Sequence, residues 1–295
     1  MFRVPVTFYY DFDQICEKMR PYVFADFARS GAEHLVLTDA LIQQIFNKPG
    51  LEDTLLREIG NAGMSFCDGH APFGPLLDMN CPWVEKRPAM IARLKLVLEI
   101  CRYMKVETVT IHLGNNHFEP AWNYSEDVHI GWMKETLSEL LPVAEKLGLT
   151  ICIENSWFSV NTPDVINALK AEFPTDALGI CYDSGHANIM DNGRKYATGN
   201  AWRGWKAAGK DLPVWEDQAL EKMLPDVVNC HLHDNSGWSD AHALPGSGCI
   251  DWKHIITLLK KAPRIKVIQS EVAPQRANVN IPELVAAFDR LAEIE

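Results

Sequence analysis

The sequence predicts one domain spanning residues 1–295, an α/β fold of the (β/α)8 TIM-barrel class. Short β-branched or apolar runs alternate along the whole chain with longer segments of helical periodicity. Eight such runs recur at the unit length of a βα repeat. Acids and histidines gather at their C-terminal ends, the face on which such barrels build their sites. A doubly wound open sheet is the runner-up, but its usual Gly-rich first turn is missing.

The expected strands begin with Arg3 to Tyr9, His34 to Leu37 and Met64 to Asp68, with His70 just after the third. Thr108 to Leu113 carries His112 at its end, and Thr150 to Glu154 ends in an acid. In Ile151-Cys-Ile-Glu154 and Ile180-Cys-Tyr-Asp183, alternation places the small Cys and the acid on one face. Leu178 to Asp183, Val227 to His233 and Lys266 to Glu271 complete the set, ending in Asp183, in His231 and His233, and in Glu271. Between strands, Lys86 to Met104 and Ile130 to Leu147 have helical spacing. The sixth connection, 191–226, runs long and holds Trp202, Trp205 and Trp215 among Arg194, Lys195, Arg203, Lys206 and Lys210. It is read as a lid or substrate wall, or more blandly as a subunit contact or solvated helix pair. Cys230 to Trp252 has the densest ligand content, with His231, His233, Asp234, Asp240 and His242 ahead of a Pro-Gly turn.

Composition narrows the partners. A net charge of −11 argues against phosphate-backbone binding as the main activity, so no nucleic-acid partner is expected. The eight scattered cysteines, without a C-x-x-C pair, read as free thiols of a reducing cytosol. No signal-peptide pattern or membrane-length apolar run is visible, so the expectation is a cytoplasmic protein without a membrane partner. Self-association into a homo-oligomer is left open.

Glu154, Asp183, His231 and Glu271 come from four consecutive strand ends and together suit one divalent metal: Mn, Zn, Co or Fe. Such an ion, chelated by neighbouring hydroxyl and carbonyl oxygens, would acidify the C–H between them and stabilise an enediolate, with Glu154 and Glu271 as the catalytic acid/base pair. His233 shares the face of His231 and could exchange roles with it. His70 and His112 are equally metal contacts or hydrogen-bond donors to substrate. Trp157, Trp238 and Trp122 follow strand ends and suit stacking on a sugar ring or plain packing. His34, His129 and His254 are expected as satisfied core residues, and Asp251 as a helix cap. Arg276 is the lone cation in the last loops, which leans the substrate towards a neutral sugar, a polyol-derived ketone or a sugar acid.

The motifs Asp68-Gly-His-Ala-Pro-Phe73, Ile111-His-Leu-Gly114, Ile153-Glu-Asn155, Cys181-Tyr-Asp-Ser-Gly-His-Ala-Asn188, His231-Leu-His-Asp-Asn235, Asp240-Ala-His242 and Ser270-Glu271, with the stretch Pro245 to Trp252, run through nearly the whole chain. In their order the sequence resembles the xylose isomerase-like TIM-barrel superfamily, which holds sugar isomerases and epimerases, inosose dehydratases and endonuclease IV. The epimerase-type members imply Glu154, Asp183, His231 and Glu271 as ligands, with His186 near substrate oxygens. Endonuclease IV implies three zincs: one on His70, His112 and Glu154, one on the central four, and one on His186, Asp240 and His242. All nine positions hold a competent ligand, so between one and three ions are compatible. For His186, Asp240 and His242, substrate contact is preferred over metal. The resulting expectation is a metal-dependent isomerase or epimerase of a small carbohydrate. The alternatives are a dehydratase or lyase on an inosose or keto-sugar, a trinuclear-zinc phosphodiesterase, and a non-catalytic sugar-binding barrel.

Overall fold

In a computed structural model that describes residues 2–116 and 124–295, eight parallel strands close into a barrel in chain order. They are β1 (Val6–Phe8), β2 (His34–Leu37), β3 (Ser65–His70), β4 (Thr108–Thr110), β5 (Thr150–Glu154), β6 (Leu178–Asp183), β7 (Val227–Leu232) and β8 (Ile268–Ser270). Every expected strand forms, though β1, β4 and β8 are shorter than their apolar runs. Pro5 has no N–H to give and serves only as acceptor, for Ile268, so β1 begins after it. His112 therefore lies two residues past β4 and Glu271 one past β8. Their segments still extend the barrel, since Ile111 donates to Cys152 and Glu271 to Leu232 across the neighbouring strands.

The two long helical segments appear as Arg87–Tyr103 and Glu126–Leu147. The second ends where Gly148 turns left-handed at φ 69°. Strand residues such as Leu35, Val109, Ile151, Ile180 and Leu232 are buried in the shell between barrel and helices, which is the main core. The barrel interior is polar instead: Thr7, Asp68, Thr108, Thr110, Asn229 and Gln269 are all essentially inaccessible. Register shifts at Cys67 in β3 and Val228 in β7 leave one extra residue in each strand beside this polar layer.

The 191–226 connection holds a helix, Asn200–Ala207, that packs inward. Ala201 and Trp205 join Ile189 and Met190 in a small apolar cluster against Trp157 and Trp215. The Trp205 indole donates to the Trp157 carbonyl at 2.9 Å. This connection therefore backs the loop after β5. Of the three histidines expected in the core, His129 is buried and paired with Asn80, and His34 is half-buried beside Ser65. His254 is a correction: it sits exposed, bonded to Glu221 at 2.7 Å, because the helix capped by Asp251 turns it to solvent. All eight cysteines are free thiols. Among the described residues no helix is long and apolar enough to cross a membrane.

Candidate metal centre

Glu154 closes β5, Asp183 closes β6, His231 lies near the end of β7, and Glu271 follows β8. The barrel tilt brings these four together: each offers one ligand atom, and all four atoms lie within 4.8 Å of one another. His231 Nδ1 is 2.6 Å from Glu154 Oε1, 3.2 Å from Glu271 Oε1 and 4.0 Å from Asp183 Oδ2. His231 Nδ1 and Glu154 Oε1 are nevertheless buried without a hydrogen-bond partner. A neutral imidazole nitrogen and a carboxylate oxygen each have a lone pair to give, and two such atoms left without partners among carboxylates fit a divalent cation. Three carboxylates and an imidazole suit Mn, Zn, Co or Fe and leave coordination positions open.

The motif around β6 is built to hold Asp183. Its Oδ1 accepts the His186 backbone N–H at 2.6 Å, capping the helix Ser184–Asp191. Its Oδ2 bonds His233 Nε2 at 3.1 Å. Asn155 clasps the Asp183 backbone from β5, accepting from its N–H and donating to its carbonyl. Ser184 does the same to the backbone of His233. Gly185 leaves room for the His233 ring, which any Cβ at that position would overlap.

Burial opposes charge on His231, but the neighbouring Cys181 sulfur, Glu271 and Glu154 outweigh it and raise its pKa well above the usual value. Cys181 itself is pushed far up by burial and stays a thiol, so the carboxylates supply the lasting charge. Glu271 shows the counterpart: burial would raise it, and His231 with His242 holds it well below the carboxylate range.

A flank lies beside this centre. Asp240 Oδ2 stands 2.9 Å from His242 Nε2 and 3.5 Å from His186 Nε2. The far nitrogen of each ring is engaged by a backbone carbonyl, that of Glu271 for His242 and that of Asn155 for His186, both at 2.8 Å. His242 reaches its place through a left-handed backbone, φ 46°. Burial works against its charge, but Asp240 prevails and lifts it to about 9. His186 is likewise raised well above its ordinary value by Asp183 and Asp240 against burial. Metal-competent groupings here draw on His233, as Asp183–His186–His233 and as His233–His242–Glu271. His233 stacks on His242 with ring centres 4.2 Å apart.

A cavity of about 220 Å³ opens over the centre, lined by His70, His112, Glu154, His186, Asp240, His242 and Glu271. His112 Nε2 is 3.3 Å from Glu154 Oε2, and His70 Nε2 is 3.9 Å from Glu271 Oε1. Burial and then His70 hold His112 well below its usual pKa, so it is a neutral donor or ligand. His70 also groups with Glu154 and His231 as a potential ligand. Trp157 lines the cavity and meets His186 edge-on at 4.8 Å. Trp238 does not line it: the side chain is 42% exposed and lies under Arg203. Trp122 falls outside the described residues. Sequence reasoning missed Tyr9, Phe73, Asn115, Phe158 and Asn161, which also line the cavity from loops without a ligand signature.

Asp234, counted by sequence among the dense ligands, is an anchor. Its carboxylate accepts from the Gly246 and Asn235 N–H groups and the Trp252 indole, winding the Pro-Gly-Ser-Gly turn around itself.

A family model described as xylose isomerase-like TIM barrel matches residues 24–286. The chain belongs to the xylose isomerase-like TIM barrel family. Within the curated proteins this family barrel is similar to the uncharacterized protein MJ1311 of Methanocaldococcus jannaschii, 26% identical over 231 residues covering 76% of this chain and 68% of that one. A solved structure similar to it is D-psicose 3-epimerase from Clostridium cellulolyticum H10, with TM-score 0.71 and 13% identity over 100% of this chain and 99% of that one. Another is the IOLI protein with a bound zinc atom, with TM-score 0.70 and 15% identity over 98% of this chain and 96% of that one. At these identities the structural likeness is one of fold.

Proposed function

We propose that this xylose isomerase-like barrel is a divalent-metal-dependent isomerase or epimerase of a small sugar or related hydroxycarbonyl. The observation that carries the reading is the pair Glu154 and Glu271, which approach His231 Nδ1 from two sides at 2.6 and 3.2 Å while lining the cavity. A divalent ion bound there supplies a Lewis acid that polarises a carbonyl and acidifies the neighbouring C–H. Glu154 takes that proton and Glu271 returns one from the other side. Neutral His112, with His70 beside it, orients substrate hydroxyls, and Trp157 offers a ring face.

The cavity of about 220 Å³ lies below the roughly 300–1,000 Å³ of drug-sized pockets, which fits a single sugar ring or open chain. Arg276 is the lone Lys or Arg in the lining among the described residues, so a neutral sugar, a polyol-derived ketone or a sugar acid fits better than a phosphate. The relatives reported as sugar epimerases and with zinc support this assignment. A multi-metal phosphodiesterase is the second reading, favoured by seven of the nine nuclease-type positions lining one cavity. Against it, Asp240 Oδ2 already lies between the His186 and His242 rings and raises the pKa of both, so a metal there would have to displace protons.

The test is proton exchange in D2O, followed by NMR, with manganese- or zinc-loaded protein and a panel of ketoses, inososes and sugar acids. Deuterium is expected at the carbon beside the carbonyl, with Glu154→Gln slowing its entry by about 10²–10⁴-fold. No incorporation across the panel, with metal bound, would overturn the proposal.

A further inference from the structure

The polar layer inside the barrel reaches the candidate metal centre through a continuous set of hydrogen bonds. Asp68 of β3 accepts from Thr108 Oγ1 at 2.6 Å and from Asn229 Nδ2 at 3.0 Å. The same Asn229 nitrogen lies 3.3 Å from Thr110 Oγ1, and Thr110 Oγ1 is 3.3 Å from His231 Nε2. Every member is essentially inaccessible to solvent.

Donor accounting fixes the direction at Asn229. An ionised carboxylate only accepts, so the atom of Asn229 facing Asp68 must be its amide nitrogen. That nitrogen has a second N–H, which goes to Thr110 and occupies one lone pair of the hydroxyl. The hydroxyl keeps one lone pair and its own O–H, and either can face His231 Nε2. If Thr110 accepts there, Nε2 keeps its proton and Nδ1 is the atom left to ligate. Nδ1 is the nitrogen that points at Glu154 and Glu271.

We propose that Asp68, Asn229 and Thr110 act as a positioning relay that holds His231 with its proton on Nε2, presenting Nδ1 to the metal. The inference rests on the assignment of His231 as a metal ligand. It gives the polar barrel interior a function: three strands on the far and near walls set the tautomer and ring angle of one ligand before any ion arrives.

Zinc affinity measured by calorimetry on wild type, Thr110→Val, Thr110→Ser and His231→Gln tests this without any sugar. Thr110→Val keeps the shape and loses the acceptor, and is expected to weaken zinc binding by about 10–100-fold. Thr110→Ser restores the hydroxyl and is expected to restore affinity. In zinc-loaded, ¹⁵N-histidine-labelled protein, the His231 Nε2–H signal should be present in wild type and Thr110→Ser and lost or shifted in Thr110→Val. Wild-type affinity in Thr110→Val beside weakened binding in His231→Gln overturns the relay alone. Equal losses in the Val and Ser variants also overturn it, because packing would then explain the effect. Unchanged affinity in both Thr110→Val and His231→Gln overturns the ligand assignment as well.

Discussion

Asp183 divides its two oxygens between fold and chemistry, one capping a helix and the other bonded to His233 and turned towards the centre. Such double duty is why acids at strand ends are readable from sequence while their supporting residues are not. Glu154, Asp183, His231 and Glu271 announce themselves as costly groups ending apolar runs. His233 carries the same signal, but only coordinates reveal that it braces Asp183. Asp68 and Asn229 read as ordinary strand polars, and their meaning comes from pairing across 161 residues of sequence. Asp78 gives a pH-dependent prediction at this scale. Burial pushes its carboxyl from the ordinary 3.8 to about 7, with one compensating bond from the Gly74 N–H. The folded state then holds the proton more tightly than the unfolded chain. The destabilisation is absent below pH 3.8, grows between 3.8 and about 7, and is constant above. Asp78→Asn keeps an acceptor for Gly74 and removes the ionisation. It should raise Tm over wild type at about pH 8, by no more than about 4 kcal/mol of stability, and do little at about pH 4. A gain equal at both pH values would contradict that cause.

Among the elements, the strands were the most legible, since each is a short β-branched or apolar run between helical segments, even where Asp68, Asn229 or Gln269 interrupts it. Their ends were less so: backbone pairing stops β4 at Thr110 although the apolar pattern runs on to Leu113. The 191–226 connection was the least legible. Its tryptophans show that something is covered, yet sequence cannot say what, because the partner is the loop after β5. The Trp205 indole on the Trp157 carbonyl makes that helix a prop for one cavity wall. Trp205→Phe preserves most of the packing and removes this bond, worth about 1 kcal/mol. Sugar binding should weaken by about fivefold with kcat little changed. Unaltered KM would show that Trp157 is held without the prop.

At the scale of the molecule, barrel closure turns positions dozens of residues apart into one site, and the order of motifs along the chain was enough to anticipate it. What the order could not give is whether the nine ligand-type residues act as one centre or three. The geometry divides them. Four converge on the orphaned His231 Nδ1 and Glu154 Oε1, while on the flank Asp240 Oδ2 lies between the His186 and His242 rings. Metal content per chain, measured by mass spectrometry after loading with zinc or manganese and desalting, separates the cases most directly. One equivalent is expected, lost in Asp183→Asn and His231→Gln and retained in His242→Gln. Three equivalents in the wild-type protein, or loss of metal on His242→Gln with retention in His231→Gln, would contradict a single centre on Glu154, Asp183, His231 and Glu271.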